Sequence, residues 1–281
     1  MSSIVVIGSI NLDLVATVAR LPSPGETVTD AVLSRFPGGK GANQALAAQR
    51  LGADVKLIAC VGKDAAADEA LVLLREGGVD LSGVQSVADM PTGTAMIAVA
   101  PSGENHIVVA PGANRALMPD VLVVPVADAL ICQLEVPVDT VAAAARSFDG
   151  FLCVNLAPAM HADVEILQRA DLIIVNEVEA NWYGDSLSAT NGMIATTFGA
   201  AGAVLSKNGE DIARAKPPRI DAVDTTAAGD TFTAALTVAL VEGQGPEEAL
   251  QFACAAGAAA ATKLGAQPSL PTRDEVTRLM S

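Results

Sequence analysis

The chain has 281 residues, of which 51% are apolar, and its formal net charge at pH 7 is −15. This length and apolar content are enough for one large α/β domain, or for one domain with a small appendage, around a sizeable hydrophobic core. The strong negative charge argues against a surface for nucleic acid or for an anionic membrane, because both of these partners are themselves negatively charged.

The cysteines and the termini indicate the compartment. Four cysteines lie in apolar runs without CxxC spacing, which predicts buried, reduced thiols: Cys60, Cys132, Cys153 and Cys254. The two histidines are too few for a metal cluster. No apolar run spans a membrane without Gly, Pro or charge, and the N-terminus has no signal-peptide pattern. We therefore expect a cytoplasmic protein without membrane or nucleic-acid partners.

The first predicted strand is the apolar run at residues 3–8, which is typical of a buried strand in a parallel sheet. The G-x-G-x-x-G pattern of a dinucleotide-binding fold does not follow it. Residues 12–18 alternate between apolar and smaller or polar side chains, which predicts a second strand. Asn11 and Asp13 would share one face at its start, where they could hold adjacent hydroxyl groups or, alternatively, form an Asx turn.

A glycine-rich segment, PGGKGANQ at residues 37–44, opens a predicted helix that runs to Leu51. Its spacing is not that of the Walker A phosphate loop, G-x-x-x-x-G-K-[ST]. Backbone N–H groups at the start of the helix, together with Lys40 and Asn43, could contact a polar ligand. The alternative is a flexible glycine loop without a ligand.

Some predicted strands lie outside the regular alternation of strands and helices. They are a returning strand at 28–36 and a hairpin with strands at 94–100 and 106–110 around a turn at 101–105. With the strand at 12–18 they are enough for a small separate sheet. Between the strands at 28–36 and 94–100, the chain forms a strand at 55–61, which belongs to the main sheet, and the helix at 65–76 that follows it. We expect the small sheet to act as a lid over the main sheet.

Repeated βα units follow from residue 129, with strands expected at 130–134, 151–154, 172–175 and 203–206 and a helix at 139–147. Polar side chains follow three of these strands, namely Glu135, Asn155, and Asn176 with Glu179. Open α/β sheets bind ligands at the carboxyl ends of their parallel strands. The alternative for Asn176 and Glu179 is a helix cap and an exposed helix face.

The segment DTTAAGDTF, residues 224–232, carries the chemistry that the sequence indicates most directly. An apolar pattern at helical spacing follows it, so Asp230 is expected at a helix N-terminus. Free N–H groups and the helix dipole favour anions there. The small residues Ala227, Ala228 and Gly229 would let a ligand approach the backbone closely.

A carboxylate beside an anion site suits the phosphorylation of a hydroxyl group. The carboxylate takes the proton, and the backbone donors hold the developing charge. The alternative is that Asp230 only caps the helix. Around this segment we expect a short strand at 220–223, a long helix at 246–262, a loop at 265–269 and a final helix at 273–280.

Six segments together resemble the ribokinase-like, phosphofructokinase-B type, family of carbohydrate kinases. They are residues 8–13 (GSINLD), 38–44 (GGKGANQ), 133–135 (QLE), 176–179 (NEVE), 224–232 (DTTAAGDTF) and 265–269 (GAQPS). The resemblance implies a ribokinase-like three-layer α/β/α core with a mainly parallel central sheet and a small β-sheet lid. It also implies a single kinase domain over residues 1–281, with lid segments at about 14–36 and 94–110.

The same resemblance implies an activity and a sugar site. The expected reaction is ATP-dependent phosphorylation of D-ribose at the 5-hydroxyl to give D-ribose 5-phosphate. Asp230 would be the base, and Ala227, Ala228 and Gly229 would form the anion hole for the transferred phosphoryl group. The residues that would bind the sugar are Asn11, Asp13, Gly39, Lys40, Gly41, Asn43, Glu135 and Asp230.

The resemblance further implies a nucleotide site and two cation sites. ATP would contact Asn176, Ser206, Asn208, Gly209, Gly229, Asp230 and Cys254. Glu179 would help to hold Mg²⁺ through water, consistent with the reluctance of Mg²⁺ to dehydrate. K⁺ beside the anion hole would strengthen its positive potential. It would be enclosed, mostly through carbonyl groups, by Asp224, Thr226, Ala260, Lys263, Gly265 and Ser269.

The chain departs from the family pattern at the nucleotide turn, where SKNGED at residues 206–211 replaces a Thr-x-Gly-x-x-Gly sequence. Asn208 tolerates the left-handed conformation that a glycine would adopt there. The stretch between Glu179 and Ser206 is also several residues short, and Ala67 stands where the family often has glycine. None of these changes touches the expected base or sugar ligands.

The resemblance also implies a homodimer, because the lids of this family often pair between subunits. Two rival functions stay open. A sister kinase of the same fold could act on deoxyribose, another sugar or a nucleoside, although the lid has few aromatic side chains beyond Phe36 to seat a base. A non-catalytic sugar-binding regulatory protein could share the fold, but binding alone would not need Asp230.

Overall fold

The computed structural model describes residues 1–101 and 104–281, except for the side chain of Val121. The strands are β1 (Ser3–Ile7), β2 (Asn11–Thr17), β3 (Val32–Gly38), β4 (Asp54–Gly62), β5 (Asp80–Val87), β6 (Gly93–Val99), β7 (Asn105–Ala110), β8 (Ala129–Gln133), β9 (Phe151–Asn155), β10 (Leu172–Asn176), β11 (Met193–Thr197), β12 (Ala203–Lys207) and β13 (Glu210–Ala215). The α-helices are α1 (Lys40–Arg50), α2 (Ala65–Glu76), α3 (Val138–Ser147), α4 (Val164–Arg169), α5 (Glu177–Tyr183), α6 (Ala228–Val241), α7 (Pro246–Ala260), α8 (Ala266–Ser269) and α9 (Arg273–Met280).

The larger sheet contains nine of the described strands in the order β13-β12-β11-β10-β9-β8-β1-β4-β5. Neighbouring strands are parallel except around β12, which runs antiparallel to both β11 and β13. The strand β1 pairs in parallel with β4 on one side and with β8 on the other. The carboxyl ends of the parallel strands therefore meet along one edge of the sheet.

Both faces of the larger sheet are buried. Alternate residues of a strand point to opposite faces, so in β1 Ile4 and Val6 enter one hydrophobic cluster and Val5 and Ile7 enter another. The first cluster includes residues of α1, α2, α6, α7 and α9, and the second includes residues of α3, α4 and α5. The predicted α/β class and three-layer arrangement are confirmed.

The helices α6 and α7 are rich in alanine and pack side by side on the sheet. The buried threonines of α6 would be costly there if their hydroxyl groups were unpaired. Thr231, Thr233 and Thr237 each donate to a backbone carbonyl one helical turn earlier, at 2.8, 2.9 and 2.8 Å. This interior helix thus satisfies its polar side chains without solvent.

The smaller sheet has the strand order β3-β2-β6-β7. Its strand β2 is antiparallel to β3 and parallel to β6, and its first residue, Asn11, pairs with Gly38 and Gly93. The strands come from both of the segments for which a small separate sheet was predicted. Residues 102 and 103, in the predicted turn at 101–105, lie outside the described residues.

Some predicted elements have different boundaries. The strand expected at 28–36 is Val32–Gly38, because its partner β2 ends at Thr17, which pairs with Val32. The strand expected at 220–223 is wrong. The chain there turns toward the end of α7, and Val223 N donates to Ala261 O at 2.8 Å instead of pairing with a strand. The expected loop at 265–269 contains the single helical turn α8.

Four elements were not predicted at all, namely β5, β11, β13 and α4, and α5 was foreseen only as the alternative reading of Asn176 and Glu179. The strands β5 and β13 form the two edges of the larger sheet and carry many polar or charged residues, so they lack a clear apolar pattern. The helices α4 and α5 have only six and seven residues, too few to show helical periodicity.

The cysteines are free and buried, as predicted. Among residues 1–101 and 104–281, none of the helices is both long enough and apolar enough to cross a membrane.

The glycine-rich segment lies where β1 meets α1. A Cβ atom on Gly41 would come within 2.5 Å of the carbonyl carbon of Gly8 and the backbone nitrogen of Ser9. Ala42 N donates to Ser9 O at 2.9 Å, which holds the two backbone segments together. The contact between the end of β1 and the start of α1 therefore requires a residue without a side chain at position 41.

We predict that Gly41→Ala lowers the free energy of unfolding by about 1–3 kcal/mol, because the added methyl group must push two backbone segments apart. Urea denaturation measures this change. Gly245→Ala is the matched control, since its surroundings are open and its φ is −65°. Because Gly245 is the N-cap of α7, where glycine is more favourable than alanine, we expect that control to lower stability by up to about 1 kcal/mol, less than Gly41→Ala does. Equal stability of the two variants would contradict the close approach.

Candidate active site

Asp230 lies in the first turn of α6, and only 6% of its surface is exposed. Each carboxylate oxygen accepts a hydrogen bond from α1. Asn43 Nδ2 donates to Oδ2 at 2.8 Å, and Gln44 Nε2 donates to Oδ1 at 2.9 Å. The N-cap position is occupied by Ala227, so the alternative in which Asp230 only caps the helix is wrong.

Asn11 and Asp13 share one face of β2 and are both buried. Asp13 lies directly over Gly38, where a Cβ atom would come within 2.2 Å of Asp13 Oδ2. Asn114 fixes the orientation of Asn11. Its Nδ2 donates to Asn11 Oδ1 at 2.8 Å, while its Oδ1 accepts from Ile10 N at 2.9 Å.

Glu135 follows β8 and faces the start of α1. Its Oε2 accepts from Lys40 N at 3.1 Å and from Ser9 Oγ at 2.5 Å. Ser9 Oγ accepts in turn from Gly41 N at 3.4 Å. The carboxylate thus links the ends of β1 and β8 to the first turn of α1. The predicted residues Gly39, Lys40, Gly41 and Asn43 all lie at this junction.

Acidic groups surround Lys40. Burial alone would lower the pKa of Lys40, but the charges of Asp230, Glu135, Glu179 and Asp13 together raise it. Burial raises the pKa of Asp13 to about 7, and the charges of Glu135 and Asp230 act in the same direction while Lys40 opposes them. A neutral polyol suits this site, because its hydroxyl groups can donate to carboxylates without adding negative charge.

The base candidate itself is held between opposing effects. Burial raises the pKa of Asp230, and the charge of Glu135 adds to this effect. Lys40, Asn43 and Gln44 favour the ionised form and partly offset the burial. A carboxylate that is buried and yet still ionisable is the state that a general base requires.

Two adjoining cavities open beside Asp230. The smaller has a volume of about 90 Å³, and its walls include Lys40, Glu179 and Asp230. The larger has a volume of about 850 Å³. The two share Asn176, Thr197 and Gly229 in their walls, so a ligand in the larger cavity can reach toward Asp230 through the smaller one.

The larger cavity has the size of a cofactor or nucleotide site. Of the residues predicted to bind nucleotide, it is lined by Asn176, Gly229 and Cys254. In the described part of the chain, Ser206, Asn208 and Gly209 line neither cavity. Ser206 lies in β12, and Asn208 and Gly209 form the β12–β13 turn. Asn208 has a φ of 54° and adopts the left-handed conformation expected of it.

The predicted anion hole is the N-terminal turn of α6. Ala227 is its N-cap, and Ala228 and Gly229 are its first residues. The N–H of Ala228 donates to Thr225 O at 3.1 Å. The next N–H groups, at Gly229 and Asp230, are first-turn donors, which have no intrahelical carbonyl partner. These donors, rather than that of Ala228, are available to an anion in this conformation.

Asn176 and Glu179 form a capping box at the start of α5. Asn176 Oδ1 accepts from Glu179 N at 2.8 Å, and Glu179 Oε2 accepts from Asn176 N at 2.8 Å. The alternative of a helix cap is therefore confirmed for this pair, but Glu179 is buried and both residues line the smaller cavity. The cap uses Oε2 of Glu179 and leaves Oε1 to other partners.

The residues predicted to enclose K⁺ come from two segments, residues 224–226 and residues 260–269, which meet next to the start of α6. Asp224 Oδ1 accepts from Thr226 N at 2.9 Å, and Asp224 Oδ2 accepts from Gly265 N at 2.9 Å. Ala260 lies at the end of α7, while Ser269, in α8, donates to Ala266 O at 2.8 Å. Lys263 directs its side chain to Glu275 at 2.8 Å.

Several side chains of the site were quoted in the sequence motifs without a role, or were not singled out. Ser9, Gln44, Asn114, Gln133 and Asn155 contact the predicted residues directly or through one another. These uncharged side chains also occur at caps and turns, so a single sequence contains no signal that places them here. Only the strand-end position of Asn155 pointed to this edge of the sheet.

The chain is similar to known proteins over almost its whole length. The model of the pfkB family of carbohydrate kinases matches residues 1–273. Proteins named ribokinase from Haemophilus influenzae and Bacillus subtilis are each 37% identical to the chain. The alignments cover 99% of this chain and 98% of the first relative, and all of this chain and of the second.

Solved structures of proteins named ribokinase have the same fold as this chain. The crystal structure of ribokinase from Thermotoga maritima superposes with a TM-score of 0.91 at 34% identity, covering 100% of this chain and 99% of that one. The Arabidopsis thaliana ribokinase complexed with ribose and ATP gives a TM-score of 0.87 at 30% identity, with coverage of 100% and 99%. The chain belongs to the pfkB family of carbohydrate kinases.

Proposed function

We propose that the chain is an ATP-dependent kinase that phosphorylates D-ribose at the 5-hydroxyl to give D-ribose 5-phosphate. The observation that carries this proposal is the position of Asp230, between a cradle of polar side chains and a cavity of about 850 Å³ suited to a nucleotide. The full-length similarity to proteins named ribokinase, and to one solved with ribose and ATP, supports the choice of substrates.

The reaction transfers one phosphoryl group. The sugar hydroxyl loses its proton to the Asp230 carboxylate, and its oxygen forms a bond to the γ-phosphorus of ATP. The bond between that phosphorus and the β–γ bridging oxygen breaks, and ADP leaves with its electron pair. Asp230 supplies the proton acceptor, and the adjoining cavities hold the two substrates in line.

The sugar lies among the polar side chains of the smaller sheet and of α1. The carboxylates of Asp13 and Glu135 accept from its hydroxyl groups, and Lys40 and Asn11 donate to its oxygens. Asn43 Oδ1 is buried without a hydrogen-bond partner among the described residues, as expected for an atom that accepts from a bound hydroxyl group. The backbone of Gly39 and Gly41 completes this set.

Charge on the transferred phosphoryl group is held by the start of α6. The predicted anion hole of Ala227, Ala228 and Gly229 combines small side chains with first-turn N–H groups and the positive end of the helix dipole. Asn176 and Cys254 also line the larger cavity, where they would contact the nucleotide. The nucleotide would be contacted by Ser206, Asn208 and Gly209 only if it extended out of the cavity to the end of β12 and the β12–β13 turn.

Mg²⁺ fits the oxygen groups of the smaller cavity. Glu179 Oε1 is not used by the capping box, and the buried carboxylate benefits from a nearby cation, because burial raises its pKa. The described residues contain no cluster of three or more His, Cys, Asp or Glu side chains suited to a metal ion. Glu179 would help to hold Mg²⁺ through water, and ATP oxygens would supply the other ligands. When bound, Mg²⁺ neutralises phosphate charge.

K⁺ fits the two segments joined by Asp224 and Gly265. Carbonyl groups of Ala260, Lys263 and Gly265, with the side chains of Asp224 and Ser269 and the backbone of Thr226, offer a set of oxygens without a second carboxylate. Such a set suits a weakly hydrated monovalent cation. The cation would strengthen the positive potential of the neighbouring anion hole.

The smaller sheet is proposed to act as the lid of a single kinase domain and to pair with a second copy. Registered partners share a face, so the side of the sheet that carries Asp13 also carries Val15, Ile97, Ile107 and Val109. Ile107 and Val109 are 55% and 44% exposed. This apolar surface continues from the sugar site, and a two-fold contact would let each copy cover the other. The proposed compartment is the cytoplasm.

The proposal is tested directly by measuring ADP release from Mg-ATP in the presence of D-ribose. Deoxyribose, other sugars and nucleosides serve as competing acceptors. Preference for D-ribose supports the proposal. Turnover with another acceptor alone would keep the kinase and change its substrate, whereas no turnover with any acceptor would favour a sugar-binding regulatory protein.

Asp230→Asn should reduce turnover by about 10²–10⁴-fold, which is the usual contribution of a positioned base. The amide cannot take the hydroxyl proton, but it keeps the size of the side chain. Steady-state kinetics measure the loss, and calorimetric titration with D-ribose checks that the sugar site is intact. Near-normal turnover in this variant would refute the assignment of the base.

Replacing K⁺ by a bulky organic cation at equal ionic strength should reduce ribose-dependent turnover about tenfold, because the anion hole would lose the positive potential of the K⁺ ion. A tenfold loss corresponds to ~1.4 kcal/mol of transition-state stabilisation. Asp224→Asn should raise the K⁺ concentration that gives half-maximal activation. Turnover that does not depend on K⁺ would leave the kinase in place and remove the cation site.

A matched pair of variants tests which face of the smaller sheet forms the proposed dimer. Ile107→Asp places a charge on the face that carries Asp13, and Val108→Asp places the same charge on the opposite face of the same strand. Ile107→Asp should raise the dimer dissociation constant at least about 100-fold, because the carboxylate would be buried without a partner. Val108→Asp should leave it unchanged. Sedimentation velocity measures both, and an equal effect of the two variants would contradict the proposed face.

A further inference from the structure

The buried amide of Gln44 touches the base and is itself held at every polar atom. Gln44 has no exposed surface. Its Nε2 group has two hydrogens, of which one goes to Asp230 Oδ1 at 2.9 Å and the other to Asn155 Oδ1 at 3.2 Å. Its Oε1 accepts from Gln133 Nε2 at 2.6 Å. Gln44 thus joins α1 to the ends of β8 and β9 and to the first turn of α6.

The direction of these hydrogen bonds is set by a backbone carbonyl. Asn155 Nδ2 donates to Ile174 O at 3.2 Å, and a carbonyl oxygen can only accept. Asn155 must therefore turn its Oδ1 toward Gln44, and Gln44 must turn its Nε2 toward Asn155 and Asp230. The last donor in this chain of amides is therefore Gln44 Nε2, which donates to the carboxylate of Asp230.

The ionised form of Asp230 matches this chain. Asn43 donates to one carboxylate oxygen and Gln44 donates to the other, so both oxygens act as acceptors. The donor direction of Gln44 is fixed through Asn155, so a proton on Asp230 Oδ1 directed at Gln44 would meet another donor and that hydrogen bond would be lost. The arrangement opposes the effect of burial, which disfavours the charged form.

We propose that Gln44 is a positioning residue that keeps Asp230 ionised and fixes its orientation toward the sugar hydroxyl, with Asn155 and Gln133 setting the polarity of its amide. This inference rests on the proposed role of Asp230 as the base. The other charged groups around Asp230 are Lys40, Glu135, Asp13 and Glu179. None of them needs to change for the effect of Gln44 to be measured.

The test uses Gln44→Met, which keeps the length of an unbranched side chain but removes the donor. We expect the single-turnover rate of ribose phosphorylation to fall about 10- to 100-fold, which is the usual worth of a hydrogen bond to a charged group. We also expect the acid limb of the pH–rate profile to move up by roughly one to two pH units, because the ionised base loses a donor. KM for D-ribose should change little.

Gln49→Met is the matched control on the same helix. Gln49 Oε1 accepts from Val55 N at 3.0 Å, away from the site, so its loss should leave the rate and the acid limb unchanged. Gln44→Glu places a second carboxyl group against Asp230 and should move the acid limb further up than Gln44→Met does.

Gln133→Met covers the case in which the Gln44 variants do not fold. It removes only the donor to Gln44 Oε1, and we expect a smaller shift of the acid limb in the same direction. Unchanged rates and pH profiles in folded Gln44 and Gln133 variants, with Asp230→Asn inactive, would overturn this inference alone. An active Asp230→Asn variant would instead overturn the proposed base, whatever the Gln44 variants show.

Discussion

The structure depends on the burial of one carboxylate between a sheet edge and two helix N-termini. Transfer of a charged carboxylate out of water is costly unless donors and a counter-charge replace its hydration. Asp230 receives these from the start of α1, where Asn43 and Gln44 donate and Lys40 supplies the charge. The contact between β1 and α1 at Gly41 brings that helix start into place. The elements that hold Asp230 are thus the same elements that hold the core together.

This requirement also explains why the site draws on so many elements. Carboxylates of Asp13, Glu135 and Asp230 gather around one lysine. Burial raises the pKa of Asp13, and repulsion from the other two carboxylates adds to this effect. No single helix or loop could bring these groups together. Parallel strands can, because each of them ends at the same edge and is followed by its own loop. Hydroxyl groups of the proposed sugar would lessen this repulsion by donating to the carboxylates, and sugar binding would thereby help to order the site.

The sequence predicted the layered core well, and it singled out the charged residues that the structure brings together around Lys40. Buried strands such as β1 show continuous apolar runs, and α2 and α9 were predicted with their observed ends because caps and periodicity agree there. Edge strands such as β5 were missed, since one side of them is solvated and their pattern is weak. Asp230 was found because an acidic residue after small residues at a helix start is distinctive. Gln44, Gln133 and Asn155 were given no role, because their function depends on contacts between residues about a hundred positions apart.

The residues at which the smaller sheet leaves the core, Asn11, Gly38 and Gly93, form one row across three strands, and this row has a consequence for the affinity for the proposed sugar. Asn11 pairs there with Gly38 and Gly93, so the strands cross from the core into the sheet next to the residues proposed to bind the sugar. A swing of the sheet about this row would carry Asp13 away from Glu135 and Lys40, which belong to the core. An open form would therefore lack Asp13 from the proposed sugar site. The dissociation constant for the sugar would then include the free energy of closing, and substitutions far out on the sheet would weaken binding without touching a ligand.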